Sequence, residues 1–343
     1  MPALSRTLQR SRRTIFALIF IAGGFASGPA LADDTHCQGT DMLAEMQAKK
    51  PDLYAKVMAE SKTLSNTEAM LWKVEKPGVG TSYLFGTMHL SDPRIAELPP
   101  AAIDAIAHSK SVALEIADLS PQAMAAAMGN AAKLIVYSDG QSLKSMLSDG
   151  DYKKVEKIVV KSGMPGEFAA LMKPWLVSLL LATSDCERKQ VASGKAVLDL
   201  RVAAEAQKHG ITVTGLETIE SQLGALASIP DDQQLAILKV ELDYIDRADD
   251  MMETMVQMYA KRQIGAAMPF QLVLAAESGA PASTFDGFKK ALLVDRNGKM
   301  RDAALPLLEK GNAFIAIGAL HLPGPGGLVA LLRESGYTVT PVE

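Results

Sequence analysis

The sequence predicts an α/β fold: a central mixed sheet carrying two Gly-x-x-His strand ends, with a large, mostly helical insertion. Three observations carry that expectation. An apolar strand-like run closes on Gly-x-x-His twice, as Phe85-Gly86-Thr87-Met88-His89-Leu90 and as Ile317-Gly318-Ala319-Leu320-His321-Leu322. Units of helix, short turn and strand recur along the chain, the order that lays helices over a sheet. Between them, residues 118–300 are dominated by helical periodicity.

The elements follow in order. Arg6, Arg10, Arg12 and Arg13 precede the apolar run 15–22, and Ala30-Leu31-Ala32 follows it. This is the pattern of a secretory signal over residues 1–32, and the run is too short and too broken by Gly23-Gly24 to remain as a membrane anchor. Residues 41–62 read as a helical appendage interrupted at Pro51. The strand-like runs 69–74 and 82–85 flank Lys76-Pro77-Gly78-Val79-Gly80, a hairpin that leads into the first Gly-x-x-His. The helix-to-strand units run 101–108 into 111–115, 201–209 into 211–217, and 328–334 into 337–342. Helical patterns cover 122–133, 152–160, 167–182 and 231–261, and a strand near Val213 interrupts the insertion. No low-complexity linker divides residues 33–343, which read as one continuous domain.

Composition narrows the function. Removal of the signal takes away four arginines and no acids, moving the formal charge from −4 to −8, which argues against nucleic acid as a partner. The expected product is periplasmic or secreted, with a peptide or small molecule as its partner. Cys37 and Cys186 are the two cysteines. In an oxidising compartment they form either one disulfide or two free thiols. The chain contains no His-Glu-x-x-His, no Gly-x-Ser-x-Gly, no phosphate-binding loop and no Cys-x-x-Cys.

Glycine at a strand end allows a sharp turn or a close approach, and the histidine that follows is thrown to the carboxyl edge of the sheet, where open α/β sheets bind ligands. Pro93 and Pro325 each stand four residues after their histidine. Glu115 ends the run Val112-Ala113-Leu114 and would share that edge. Two imidazoles and a carboxylate suit a divalent first-row ion with open positions for water. His108 and His209 sit at predicted helix ends, and His36 lies beside the cleavage site; structural or neutral roles are expected for all three. Met251, Met255 and Met258 share a helical face, with Met252 beside them, which reads either as core or as a groove wall. Glu217 repeats the placement of Glu115, so it is either a second site carboxylate or a partner for Arg201 or Lys195. Arg296 and Asn297 read either as a fork for a substrate carboxylate or phosphate, or as a polar loop cap beside Gly298. Asp199 is expected to cap or orient a helix start.

Taken together, the paired Gly-x-x-His motifs, Glu115, Lys173-Pro174-Trp175, Leu198-Asp199, Gly215-Leu216-Glu217-Thr218 with Gln222, and Arg296-Asn297 resemble the TraB/GumN family. Tiki metalloproteases look related to it. That resemblance implies a metal-dependent cleavage of amide or ester bonds, with His89, His321 and Glu115 as metal ligands and manganese or cobalt preferred over zinc. The catalytic set expected around them is Glu115, Glu217, Arg296 and Asn297. The competing expectation is a non-catalytic periplasmic accessory protein that binds peptide, polysaccharide or metal.

Overall fold

The computed structural model describes residues 37–342, so the secretory segment 1–32 and His36 lie outside the described residues. Six strands form one mixed sheet: β1 (Leu71–Glu75), β2 (Ser82–Thr87), β3 (Ser111–Leu114), β4 (Val213–Gly215), β5 (Ala313–Gly318) and β6 (Thr338–Pro341), in the order β4-β3-β5-β2-β1-β6. β1 runs antiparallel to both its neighbours, while β2, β5, β3 and β4 are mutually parallel. The hairpin between β1 and β2 turns at Gly78, whose φ of 77° favours glycine.

β5 lies at the centre and reads Ala-Phe-Ile-Ala-Ile-Gly, buried along its length up to Gly318. Continuous apolar composition is what a parallel strand covered on both faces requires. Thr87 pairs with Gly318, and Leu114 pairs with both Ala316 and Gly215. The carboxyl ends of four parallel strands therefore fall on one edge of the sheet, and His89, Glu115, Glu217 and His321 leave from it.

Two main apolar clusters divide the helices. Trp72, Phe85, Ile106, Leu198, Met258, Phe270 and Phe314 belong to the one built around the sheet. Tyr152, Val155, Trp175, Leu176, Leu238 and Leu242 belong to the other. The helices Leu198–Lys208 and Ala248–Ala260 thus cover the sheet, whereas the helices between residues 121 and 181 build a core of their own, joined by part of 219–243.

Several expected helices are subdivided. The 167–182 stretch is a 3-10 turn, Gly166–Ala170, then a helix, Pro174–Leu181, because the Pro174 ring excludes helical geometry at the residue before it. The 231–261 stretch breaks at the 3-10 turn Ile245–Arg247, while 41–62 divides at Pro51 as expected, into Met42–Lys49 and Pro51–Lys62. The methionine stripe is core: Met258 is fully buried, and Met251, Met252 and Met255 pack against the sheet's cluster. Arg296 and Asn297 do not cap a loop. They lie in the first turn of the helix Asp295–Lys310, directly after a π-helical segment, Lys289–Val294. Gly298 reads as a loop signal in sequence, yet a single glycine costs a helix only about 1 kcal/mol, which packing offsets. No described helix is long and apolar enough to cross a membrane.

Candidate functional site

His89 follows β2 by two residues. Its Nδ1 lies 2.8 Å from Asp199 Oδ2, and the Thr87 hydroxyl donates to Asp199 Oδ1 at 2.6 Å. Asp199 is buried in the first turn of Leu198–Lys208, so its carboxylate is aimed by the helix and serves the strand end. The expectation that Asp199 orients a helix start gives way to this contact. The His89 side chain is 62% exposed although protein crowds around it. Crowding disfavours the cation, but the Asp199 carboxylate outweighs it and raises the His89 pKa to about 9.

His321 closes the 3-10 turn Ala319–His321 and is 6% exposed in its side chain. Asn297 Nδ2 donates to the Gly326 carbonyl at 2.7 Å, which leaves Asn297 Oδ1 as the acceptor for His321 Nδ1 at 2.6 Å. That network assigns the proton to Nδ1 and the lone pair to Nε2. Burial pushes the His321 pKa down to about 4, Glu115 opposing and Arg296 and His89 reinforcing, so the ring is neutral near pH 7. Asn297 therefore holds His321, a role the sequence reading did not assign to it.

Glu115, one residue past β3, accepts the Gly318 N–H at Oε1 (2.6 Å), and at Oε2 it accepts Arg296 Nη2 (2.6 Å) and Gln222 Nε2 (3.0 Å). Burial raises its pKa, but His321, His89, Arg296 and the Gly318 amide outweigh burial and hold it down at about 2. Glu217, two residues past β4, takes Arg296 through Nε (2.9 Å) and Nη2 (2.7 Å) on a single oxygen, Oε2. Its partner is thus Arg296, in place of Arg201 or Lys195. The other oxygen, Oε1, is buried without a partner, on a side chain 2% exposed. Desolvation opposes the Arg296 charge, yet the two carboxylates raise its pKa further. Arg296 Nη1 lies 3.2 Å from His321 Nε2.

All of this closes around Gly318. A Cβ there would stand 3.1 Å from Glu115 Oε1, 3.5 Å from the His321 ring and 3.7 Å from His89 Nε2. Gly86 has a parallel task, because a Cβ on it would strike Leu322 and the Ala319 backbone, where the turn carrying His321 crosses β2. The remaining described histidines behave as helix-end residues: His108 Nδ1 lies 2.9 Å from the Asp104 carbonyl, and His209 Nε2 lies 3.3 Å from Glu205.

The donors suit a divalent first-row ion in chemistry. Two imidazoles have Nδ1 occupied by Asp199 and Asn297, the arrangement that orients metal-binding histidines, and Glu115 stands beside the side-chain-free space at Gly318. Glu217 Oε1 supplies a further buried oxygen with nothing to bind. Even so, no group of three or more His, Cys, Asp or Glu among the described residues is placed to hold an ion. The Arg296 guanidinium lies against His321 Nε2, Glu115 and Glu217, filling that position with an internal cation.

Four strand ends carrying His, Glu, Glu and His beside an Arg-Asn pair define the site. The chain belongs to the TraB/PrgY/gumN family, matched over residues 70–341. The uncharacterized protein YbaP of Shigella flexneri is 23% identical over 257 residues, covering 75% of this chain and 89% of that protein. The metalloprotease TIKI2 of Xenopus tropicalis is 24% identical over 322 residues, covering 81% of this chain and 60% of that protein. The TIKI2 of Danio rerio is likewise 24% identical, over 318 residues, again across 60% of its length. No solved structure matches this chain.

Proposed function

We propose that this protein is a metal-dependent hydrolase of amide or ester bonds, with a peptide as the favoured substrate. The observation that carries this reading is the convergence of His89 Nε2, the His321 ring and Glu115 Oε1 on the space left by Gly318, with both rings held through Nδ1. The similarity to metalloproteases supports it. His89, His321 and Glu115 would hold the ion, manganese or cobalt before zinc. The ion's contribution is to polarise a carbonyl and make water a usable nucleophile near neutral pH.

The chain's own residues do the rest. Glu115, whose Oε1 borders the space at Gly318, is the carboxylate placed to accept a proton from the attacking water, and Glu217 Oε1 is a second buried carboxylate oxygen with no partner. Arg296, tied to both carboxylates, supplies positive charge beside the position of a developing oxyanion. Asn297 keeps the His321 lone pair pointed inward. The open face of His89 is the side from which substrate enters.

The second reading, a non-catalytic accessory protein that binds peptide, polysaccharide or metal, draws on a specific observation: Arg296 already satisfies Glu115, Glu217 and His321 as an internal cation. The experiment that separates the two is elemental analysis together with peptide-library cleavage. Wild type is compared with His89→Ala and His321→Ala after incubation with manganese, cobalt or zinc. The hydrolase reading expects near-stoichiometric metal and cleavage in wild type and loss of both in each variant. Metal-free wild type, or turnover unchanged in His89→Ala, sinks it.

We further propose that the chain acts in the periplasm or outside the cell. The Cys37–Cys186 disulfide supports an oxidising compartment, in keeping with the secretory pattern at 1–32.

A further inference from the structure

The helix Asp185–Ala192 is polar all round. Glu187 is its one buried side chain, and Val191 is 45% exposed, so no apolar face holds it to the body. Its exposed ion pair, Lys161 with Asp185, contributes little. Arg188 ties it to the Leu180 and Thr183 carbonyls that precede it, while Cys186, bonded to Cys37, and the neighbouring Glu187 reach inward.

Ser184 and Glu187 stand at the two positions of a capping box, and the Ser184 hydroxyl accepts the Glu187 N–H at 3.3 Å. In that motif the glutamate carboxylate turns back to its own helix start. Here Glu187 Oε1 reaches across 96 residues to the amide of Ser91 at 2.6 Å. Ser91 is two residues past His89, in the loop that sets the imidazole.

The other side of that loop is also fastened. Arg94 donates to Glu253 at 2.6 and 2.9 Å, and Glu253 lies on Ala248–Ala260. The same helix grips the N-terminal segment: Asp250 accepts the Thr40 N–H at 2.7 Å, Thr254 accepts the Met42 N–H at 2.8 Å, and Gly39 lies against the Asp249 carbonyl with no room for a Cβ. Cys37 begins that segment. The disulfide therefore ties the support on one side of the loop, Glu187, to the support on the other, Glu253. A cavity of about 10 Å³, room for about one water, marks where Cys37, Glu187, Glu253, Arg94 and Leu90 meet.

We propose that Glu187 is a positioning residue for His89, and that the Cys37–Cys186 bond keeps Glu187 in place by locking its helix to Ala248–Ala260. Its consequence for catalysis rests on the hydrolase reading; the positioning itself does not. Removing the carboxylate frees the Ser91 amide and lets residues 88–94 open, while the sheet that carries His321 stays shut.

The test is hydrogen–deuterium exchange by mass spectrometry on the full mature chain, comparing wild type, Glu187→Ala, Glu187→Gln and the double variant Cys37→Ser, Cys186→Ser. Peptides covering 88–94 are expected to exchange at least tenfold faster in Glu187→Ala and in the double variant. Peptides covering 313–318 should not change in Glu187→Ala. Glu187→Gln keeps an amide oxygen in the acceptor position and should restore wild-type protection, which a role through charge alone would not produce. Manganese affinity, titrated in parallel, should fall about tenfold in Glu187→Ala, the lower end for loss of a ligand's support. Unchanged exchange at 88–94 in Glu187→Ala overturns the proposal. Exchange at 88–94 that rises no more than exchange at 313–318 in the double variant overturns the part assigned to the disulfide. Loosening at 88–94 in a wild-type background that takes up no manganese leaves the positioning standing and removes the metal reading.

Discussion

Asp199 and Asn297 do at the residue scale what neither histidine can do alone, which is to fix the direction of the ring. Each holds Nδ1, so His89 turns Nε2 toward Gly318 while His321 turns Nε2 toward Arg296 and Glu115. Replacing Asp199 by Ala should lower metal affinity about 10- to 100-fold with the fold intact, measured by titration with cobalt. Gly318→Ala tests the space itself. Gly318 has no left-handed φ, so the added methyl group is tolerable to the backbone. It would nevertheless stand 3.1 Å from Glu115 Oε1. Metal uptake and cleavage should be lost, with a melting temperature close to wild type. His89, His321 and Glu115 were legible because strand-end motifs carry them. Asp199 was not, since a carboxylate in a helix's first turn reads as a cap, and only the packing of that helix against β2 shows it serving another element.

At the scale of elements, the π-helical segment Lys289–Val294 leads directly into the helix Asp295–Lys310, whose first turn buries two consecutive residues, Arg296 and Asn297. Such segments recur at functional sites and are invisible to a 3.6-residue pattern. The helix Asp231–Asp243 supplies another buried acid. Burial pushes the Glu241 carboxyl up to about 7, and its Oε2 is enclosed without a hydrogen-bond partner, though Ser178 lies close enough to draw it down slightly. The folded state thus holds a proton that the unfolded chain releases near pH 4.5. Stability from this group is full below about 4.5 and is lost as pH rises to about 7. Glu241→Gln should remove that slope and stabilise the protein at pH 8 by roughly 2–4 kcal/mol relative to wild type, read from urea unfolding at several pH values. Breaks at Pro174 and Pro51 were open to a sequence reading, whereas the break at Ile245–Arg247 has no proline to announce it.

Across the whole molecule, the Cys37–Cys186 bond closes a separation of 149 residues. Serine at both positions should lower unfolding free energy by about 2–4 kcal/mol, measured by denaturant unfolding, and still leave a folded chain, because the sheet cluster does not depend on it. Composition and local pattern determined the class of fold, the apolar strands, most helices and the three residues at the strand ends, because these depend on periodicity and on glycine at fixed offsets. The sequence could not show that two histidines 232 positions apart share one space, that Arg296 stands among Glu115, Glu217 and His321, or that a capping-box glutamate serves Ser91. Those facts follow from strand order. Once β5 lies between β2 and β3, residues from both chain ends meet at one edge, and no local pattern encodes which strands become neighbours.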